Sequence, residues 1–166
     1  MQDYKGGVFM GNGEKETIVI LDNQEEELVW LSQLFEEENY EVNIATNLEQ
    51  LLFCLKEEKT DLLVINFYGE VHKKKEVFLK LRGEERYFGL PILGLFRDEP
   101  LETMDLYLEL GLDHICTYPF SKKDILIHAE QLIDAVKKRE LIDSLNQEIF
   151  ALKKENSILK EKKKNK

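Results

Sequence analysis

The chain has 166 residues, 43% of them hydrophobic, and a formal net charge of −10. That is enough for one domain of ordinary size with a real core, plus an appendage, and no apolar run approaches the ~20 residues needed to cross a bilayer. The charge is uneven: residues 1–120 hold 11 Lys/Arg against 25 Asp/Glu, while residues 121–166 hold 12 against 8, so the body is too acidic to offer a nucleic-acid surface.

The opening MQDYKGGVFMGNGEKE lacks the apolar centre of a secretory signal. Residues 1–15 therefore read as a flexible, Gly-containing leader. From Thr17 the pattern alternates. TIVIL (17–21) is a short β-branched apolar run that fits one buried strand. Residues 24–38 place Leu28, Leu31, Leu34 and Phe35 at helical spacing. EVNIA (41–45) reads as a strand, and Leu48, Leu51, Leu52 and Leu55 mark a second helix. DLLVIN (61–66) is the third and most apolar strand. A helix over 74–82 turns Val77, Phe78 and Leu81 inward. LPILGLF (90–96) is the fourth strand, Leu101, Met104 and Leu108 form a helix stripe, and HICTY (114–118) is the fifth strand. Pro119 ends it, and Ser121 stands where an N-cap is wanted for a long last helix.

Five strand–helix units with nearly continuous apolar strands predict a doubly wound, parallel α/β sheet covered on both faces. The functional crevice of such a sheet lies beyond the carboxyl ends of its strands. Asp22, Asn23, Asn66, Phe96 and Tyr118 stand there. No G-x-G-x-x-G follows a strand, and the first strand-to-helix turn, DNQEEE, would repel phosphate, so nucleotide or flavin binding is not expected.

The order and spacing of these segments resemble the receiver domain of bacterial response regulators over about residues 16–136. The similar stretches are IVILDNQ, DLLVIN, LPILGLF and ELGLDHICTYPF, the last with Glu109, Gly111, Pro119 and Phe120 in the receiver pattern. The resemblance implies a five-stranded sheet of order 2-1-3-4-5. It also implies a site at which a strand-3 Asp accepts a phosphoryl group, beside two acidic Mg²⁺ ligands, a strand-4 hydroxyl and a strand-5 Lys. Matched position by position, this chain carries Asn66 as acceptor, Asp22 and Asn23 as the acidic pair, Phe96 for the hydroxyl and Tyr118 for the Lys. An amide is no nucleophile, one anionic ligand is left for a hard metal, and neither ring can replace the hydroxyl or the cation. The expectation is a degenerate pseudo-receiver, not an enzyme, with no cofactor and no metal. Asp22 and Asn23 also suit local capping, Asn66 a hydrogen bond across the strand ends, and Phe96 and Tyr118 mutual packing over a collapsed pocket. The alternative is a sensor that takes a small ligand in the remodelled crevice.

Cys54 and Cys116 sit far apart in apolar patterns and read as reduced, buried thiols of a cytoplasmic protein. Neither they nor the scattered His72, His114 and His128 show zinc-ligand spacing or triad-like partners, so surface or half-buried roles are expected.

Residues 137–166 carry a second pattern. Ile142, Leu145, Ile149, Leu152, Asn156 and Leu159 follow a 3-4 spacing. This is an a/d seam with Ile, Ile and Asn at a and Leu at d, which favours a parallel dimeric coiled coil, the Asn fixing register. Glu148 and Glu155 at g face Lys153 and Lys160 at e of an in-register partner. Ile125, Ala129, Leu132 and Val136 make a different stripe, facing the sheet, and KKREL between them contains no breaker. One continuous helix is therefore expected to leave the domain and enter the coil. The rival arrangement is a helix folded back on its own domain. The basic end, KEKKKNK, suits the helix dipole, and no DNA-binding output domain is expected. The partners expected are a second copy of the chain and a signalling protein, with neither nucleic acid nor membrane.

Overall fold

The structure is a computed structural model that describes residues 14–68 and 71–165. Apart from its last two positions, the expected leader lies outside the described residues. Among the described residues, five strands alternate with five helices: β1 (Thr17–Leu21), α1 (Glu25–Glu37), β2 (Glu41–Ala45), α2 (Leu48–Glu57), β3 (Leu62–Asn66), α3 (Val71–Arg82), β4 (Ile92–Phe96), α4 (Leu101–Glu109), β5 (His114–Thr117) and α5 (Lys122–Lys164). A 3-10 turn at Glu85–Tyr87 precedes β4.

All neighbouring strands pair in parallel, in the order β2-β1-β3-β4-β5. The three central strands are buried at every position because helices cover both faces. The edge strands β2 and β5 are mixed, which is why EVNIA and HICT carry polar residues among apolar ones. One face packs Val19, Leu63, Ile65, Ile92 and Phe96 against α2, α3 and α4. The other packs Ile18, Ile20, Val64, Leu93 and Cys116 against α1 and α5. Each fully buried aliphatic side chain contributes about 1.5–3 kcal/mol relative to exposure.

Two glycines are fixed by close approaches. A Cβ on Gly94 would come within 2.9 Å of both Leu112 Cδ2 and Phe96 Cε2, so its absence makes room for the Phe96 ring. Gly111 holds φ +106°, and a Cβ there would meet Arg82 Nε at 2.5 Å. Arg82 uses that space to donate to the carbonyl oxygens of Gly111 (2.6 Å), Tyr87 (3.0 Å) and Leu90 (3.3 Å), stapling α3 to the loops around β4 and β5.

Two helix stripes differ from the sequence expectation. In α4 the core-facing residues are Met104 and Tyr107, the latter 1% exposed, while Leu101 and Leu108 face outward. The large ring of Tyr107 fills the space beside Phe67 and Phe78 (centroids 4.5 and 5.2 Å) and turns the helix that way. In α5 the buried stripe is Ile125, Ala129 and Ile133, with Leu132 and Val136 only half-buried beside it.

Ser121 caps α5, its Oγ accepting from Asp124 N–H at 3.3 Å. The helix then runs 43 residues without a break, about 65 Å at 1.5 Å per residue. Lys137 pairs with Glu16, and Arg139, Glu140 and Asp143 still border a cleft with Glu58, Arg86, Tyr87 and Pro91 of the body. Every described residue from 138 to 165 is exposed, so the helix does not fold back on its domain.

Candidate functional site

The carboxyl ends of β1 and β3 meet at two buried polar side chains. Asp22, fully buried, follows β1, and Asn66, 2% exposed, ends β3. Asn66 Nδ2 donates to Asp22 Oδ2 at 2.8 Å. The remaining oxygens are also used. Asp22 Oδ1 accepts from Gln24 N–H at 3.0 Å, and Asn66 Oδ1 accepts from Tyr68 N–H at 3.1 Å. Each of these acceptor oxygens thus has a hydrogen-bond partner, as buried polar groups require. Asp22 orders the turn into α1, but the N-cap position itself is Gln24, which makes no side-chain cap. Asn23 is exposed, and its Oδ1 accepts from Gln24 Nε2 at 3.4 Å.

Phe96 and Tyr118 part company instead of packing together. The Phe96 ring is fully buried, stacked on Phe67 at 4.2 Å and 10°. It belongs to the core on the α3–α4 side. Tyr118 is 53% exposed and sets its ring edge-on to Phe120 at 5.7 Å. The two residues are joined through the backbone, Tyr118 N–H donating to Phe96 O at 2.8 Å. The physical reason is the pleat: Phe96 is the last residue of a strand whose face is lined by α3 and α4, whereas Tyr118 lies beyond the end of β5.

Between them sits Arg97, which the sequence reading overlooked. Its guanidinium lies over the rings of Tyr68 (4.6 Å) and Tyr118 (4.8 Å) and pairs with Glu27 of α1. A cation held between aromatic faces and a carboxylate covers the outside of the crevice. The one hint in sequence was a cation directly after the fourth strand, FRDEP, at the end where sites form. Nearby, Asn23, Thr46, Asn47, Lys73 and buried Lys74 border a cleft of about 340 Å³ that Asp22, Asn66, Phe96 and Tyr118 do not line.

A second constellation lies at the β5–α5 edge. The rings of His114 and His128, expected to be scattered, lie 3.8 Å apart and tilted by 30°, and Cys116 joins them, the donor atoms of all three lying within 4.8 Å of one another. Burial, with the His128 ring beside it, lowers the His114 pKa. Burial, helped by Asp124, pushes the Cys116 thiol up to about 11. Cys54 lies elsewhere, on α2, half-buried, and both thiols are free.

Comparison with known proteins follows from this geometry. A Methanospirillum hungatei response regulator receiver domain protein (CheY-like) superimposes with a TM-score of 0.67 at 22% identity, covering 76% of this chain and 99% of its own. The signal receiver domain of a signal transduction histidine kinase from Syntrophus aciditrophicus gives 0.66 at 20% identity, over 74% of this chain and 92% of its own. The chemotaxis protein CheY4 of Vibrio cholerae gives 0.65 at 18%, over 72% and 99%. This is the receiver fold. The receiver-fold chain is also 33% identical over 109 residues to the alkaline phosphatase synthesis transcriptional regulatory protein PhoP of Bacillus subtilis. That match takes in 65% of this chain, which spans 44% of the length of that relative. No family model matches the chain.

The seam residues Ile142, Leu145, Ile149, Leu152 and Leu159 of α5 all stand 48–58% exposed. Among the described residues no helix is long and apolar enough to cross a membrane.

Proposed function

We propose that this chain is a cytoplasmic, non-enzymatic signalling module that keeps the receiver fold without its phosphoryl switch and acts through protein–protein contacts as a homodimer. The observation that carries the reading is the closed Asp22–Asn66 pair. At the position where receivers hold an acceptor carboxylate, this chain holds an amide that neutralises the hydrogen-bonding demand of the one remaining acid. Arg97 between Tyr68 and Tyr118 adds a cover in place of a phosphoryl-binding Lys. The resemblance to PhoP, a transcriptional regulatory protein by name, supports signalling as the class of activity.

Dimerisation is supported by the outer part of α5. An isolated helix exposing a row of Ile and Leu is unfavourable, because most helical stability in proteins comes from packing an apolar face. A parallel partner covers Ile142, Leu145, Ile149, Leu152 and Leu159, pairs Asn156 with Asn156, and sets Glu148 and Glu155 opposite Lys153 and Lys160. The sensor alternative has less support, because the Phe96 ring is spent in the core and Asp22 and Asn66 satisfy each other.

The test is amide NMR of the full chain titrated with beryllofluoride and Mg²⁺. The expected result is no saturable shift around residues 22, 66 and 97, and saturable shifts there would remove the reading. Sedimentation of the full chain against residues 1–138 tests the coil. A dimer and a monomer are expected, and equal association states would remove the coil from the account.

A further inference from the structure

We propose that His114, Cys116 and His128 form a binding site for one late first-row transition-metal ion of the Zn²⁺ class, tying β5 to the second turn of α5. The placement follows from two periodicities. Residues 114 and 116 of a strand point to the same face, here the face covered by α5. On α5, residue 128 immediately precedes Ala129, which is buried against that face, and so lies at the margin of the packed stripe. The result is two imidazoles with ring centroids 3.8 Å apart and a thiol, with all donor atoms within 4.8 Å of one another.

The donor set selects the ion. Imidazole and thiolate suit Zn²⁺, Co²⁺ and copper, whereas Mg²⁺ and Ca²⁺ require oxygen ligands. Zn–N bonds of about 2.0–2.1 Å and Zn–S of about 2.3 Å place tetrahedral donors about 3.3–3.6 Å apart. Closing from at most 4.8 Å to that spacing needs donor atoms to shift by about 1 Å as the two imidazoles turn their nitrogens toward a common point. A cleft of about 200 Å³ bordered by Cys116, Ser121, Asp124 and His128 gives access. Through it, water can reach a fourth coordination position. On binding, the Cys116 thiol gives its proton to solvent and the dication holds the thiolate. This centre uses β5 and α5 and none of the residues at Asp22 and Asn66, so it stands independently of the proposed signalling role.

The experiment is titration of the full chain, reduced with a phosphine, first with Co²⁺ and then with Zn²⁺. The expected result is one Co²⁺ per chain, with a thiolate-to-cobalt charge-transfer band and the intense visible bands of a tetrahedral site, both abolished by Zn²⁺. Cys54→Ser should retain the bands. Cys116→Ser should lose the charge-transfer band, and His114→Gln and His128→Gln should each weaken Co²⁺ binding by at least about tenfold, since losing a direct ligand costs no less than losing its supporting partner. Absence of the band in the wild-type chain overturns the proposal, and so does a band that survives in Cys116→Ser. Should a variant fail to fold, as judged by circular dichroism, the wild-type and Cys54→Ser titrations still decide. A wild-type band that Cys54→Ser removes also overturns it.

Discussion

The inner and outer parts of α5 are one helix with two different fates. Residues 122–137 bury Ile125, Ala129 and Ile133 against the sheet and end in the Lys137–Glu16 pair. Residues 138–164 keep the same regular backbone yet include no buried residue, though they carry Ile142, Leu145, Ile149, Leu152 and Leu159. Helical propensity is comparable in the two parts, so what separates them is tertiary contact. The inner part is stabilised by a surface that its own chain supplies. The outer part has the apolar seam but not the surface, and the a/d pattern assigns that surface to another copy.

This contrast predicts effects of unequal size. Replacing Ile125 by Ala should cost the body about 2–4 kcal/mol in urea unfolding, because a fully buried side chain leaves a cavity. Leu152→Ala, 58% exposed in the single chain, should change that same transition by less than about 0.5 kcal/mol while shifting sedimentation toward monomer. A large loss of body stability from Leu152→Ala would break the distinction between the two parts.

Within the body, Asn66→Asp should be next in size. It removes the amide donor 2.8 Å from Asp22 and sets two buried carboxylates together. The expected cost is about 2 kcal/mol at neutral pH. Like charges raise the shared carboxyl pKa in the folded state. The folded form then binds the extra proton more readily than the unfolded one, and stability should recover as pH falls toward the carboxylate range. Chemical denaturation across pH reads both effects.

A smaller effect is expected at the seam. Asn156→Ile should tighten association but loosen its stoichiometry, admitting species above dimer in sedimentation equilibrium, because a buried Asn at a fixes dimeric register at a cost in stability.

The smallest prediction concerns His114, at the anchored junction of β5 with α5. Burial and the neighbouring His128 lower its pKa from the ordinary 6.5. The unfolded chain therefore binds the proton more readily between the folded value and 6.5. The His114 contribution is fully present above pH 6.5 and is lost as pH falls through the folded pKa. His114→Gln should flatten the stability–pH slope below about 6.5, and an unchanged slope would place the effect elsewhere.

How far these regions could be read from sequence depended on whether the signal was local. TIVIL, DLLVIN and the 3-4 spacing of 142–159 carry their meaning within a few residues, and the strands fall within one or two residues of expectation. The α4 stripe is not legible locally because LETMDLYLEL offers Leu on several faces, and only the space beside Phe67 and Phe78 selects Tyr107 as the inward residue. Asn66 was legible as a strand end, but its bond to Asp22 joins positions 44 residues apart. Arg97 and the meeting of His114, Cys116 and His128 likewise depend on which elements pack side by side. No spacing rule along the chain reports that.

The central claim is that the carboxyl-end crevice no longer accepts a phosphoryl group. Its most direct test is intact-mass spectrometry of the full chain after incubation with acetyl phosphate and Mg²⁺. The account predicts an unchanged mass. A single added phosphoryl group that disappears in Asp22→Asn would contradict it.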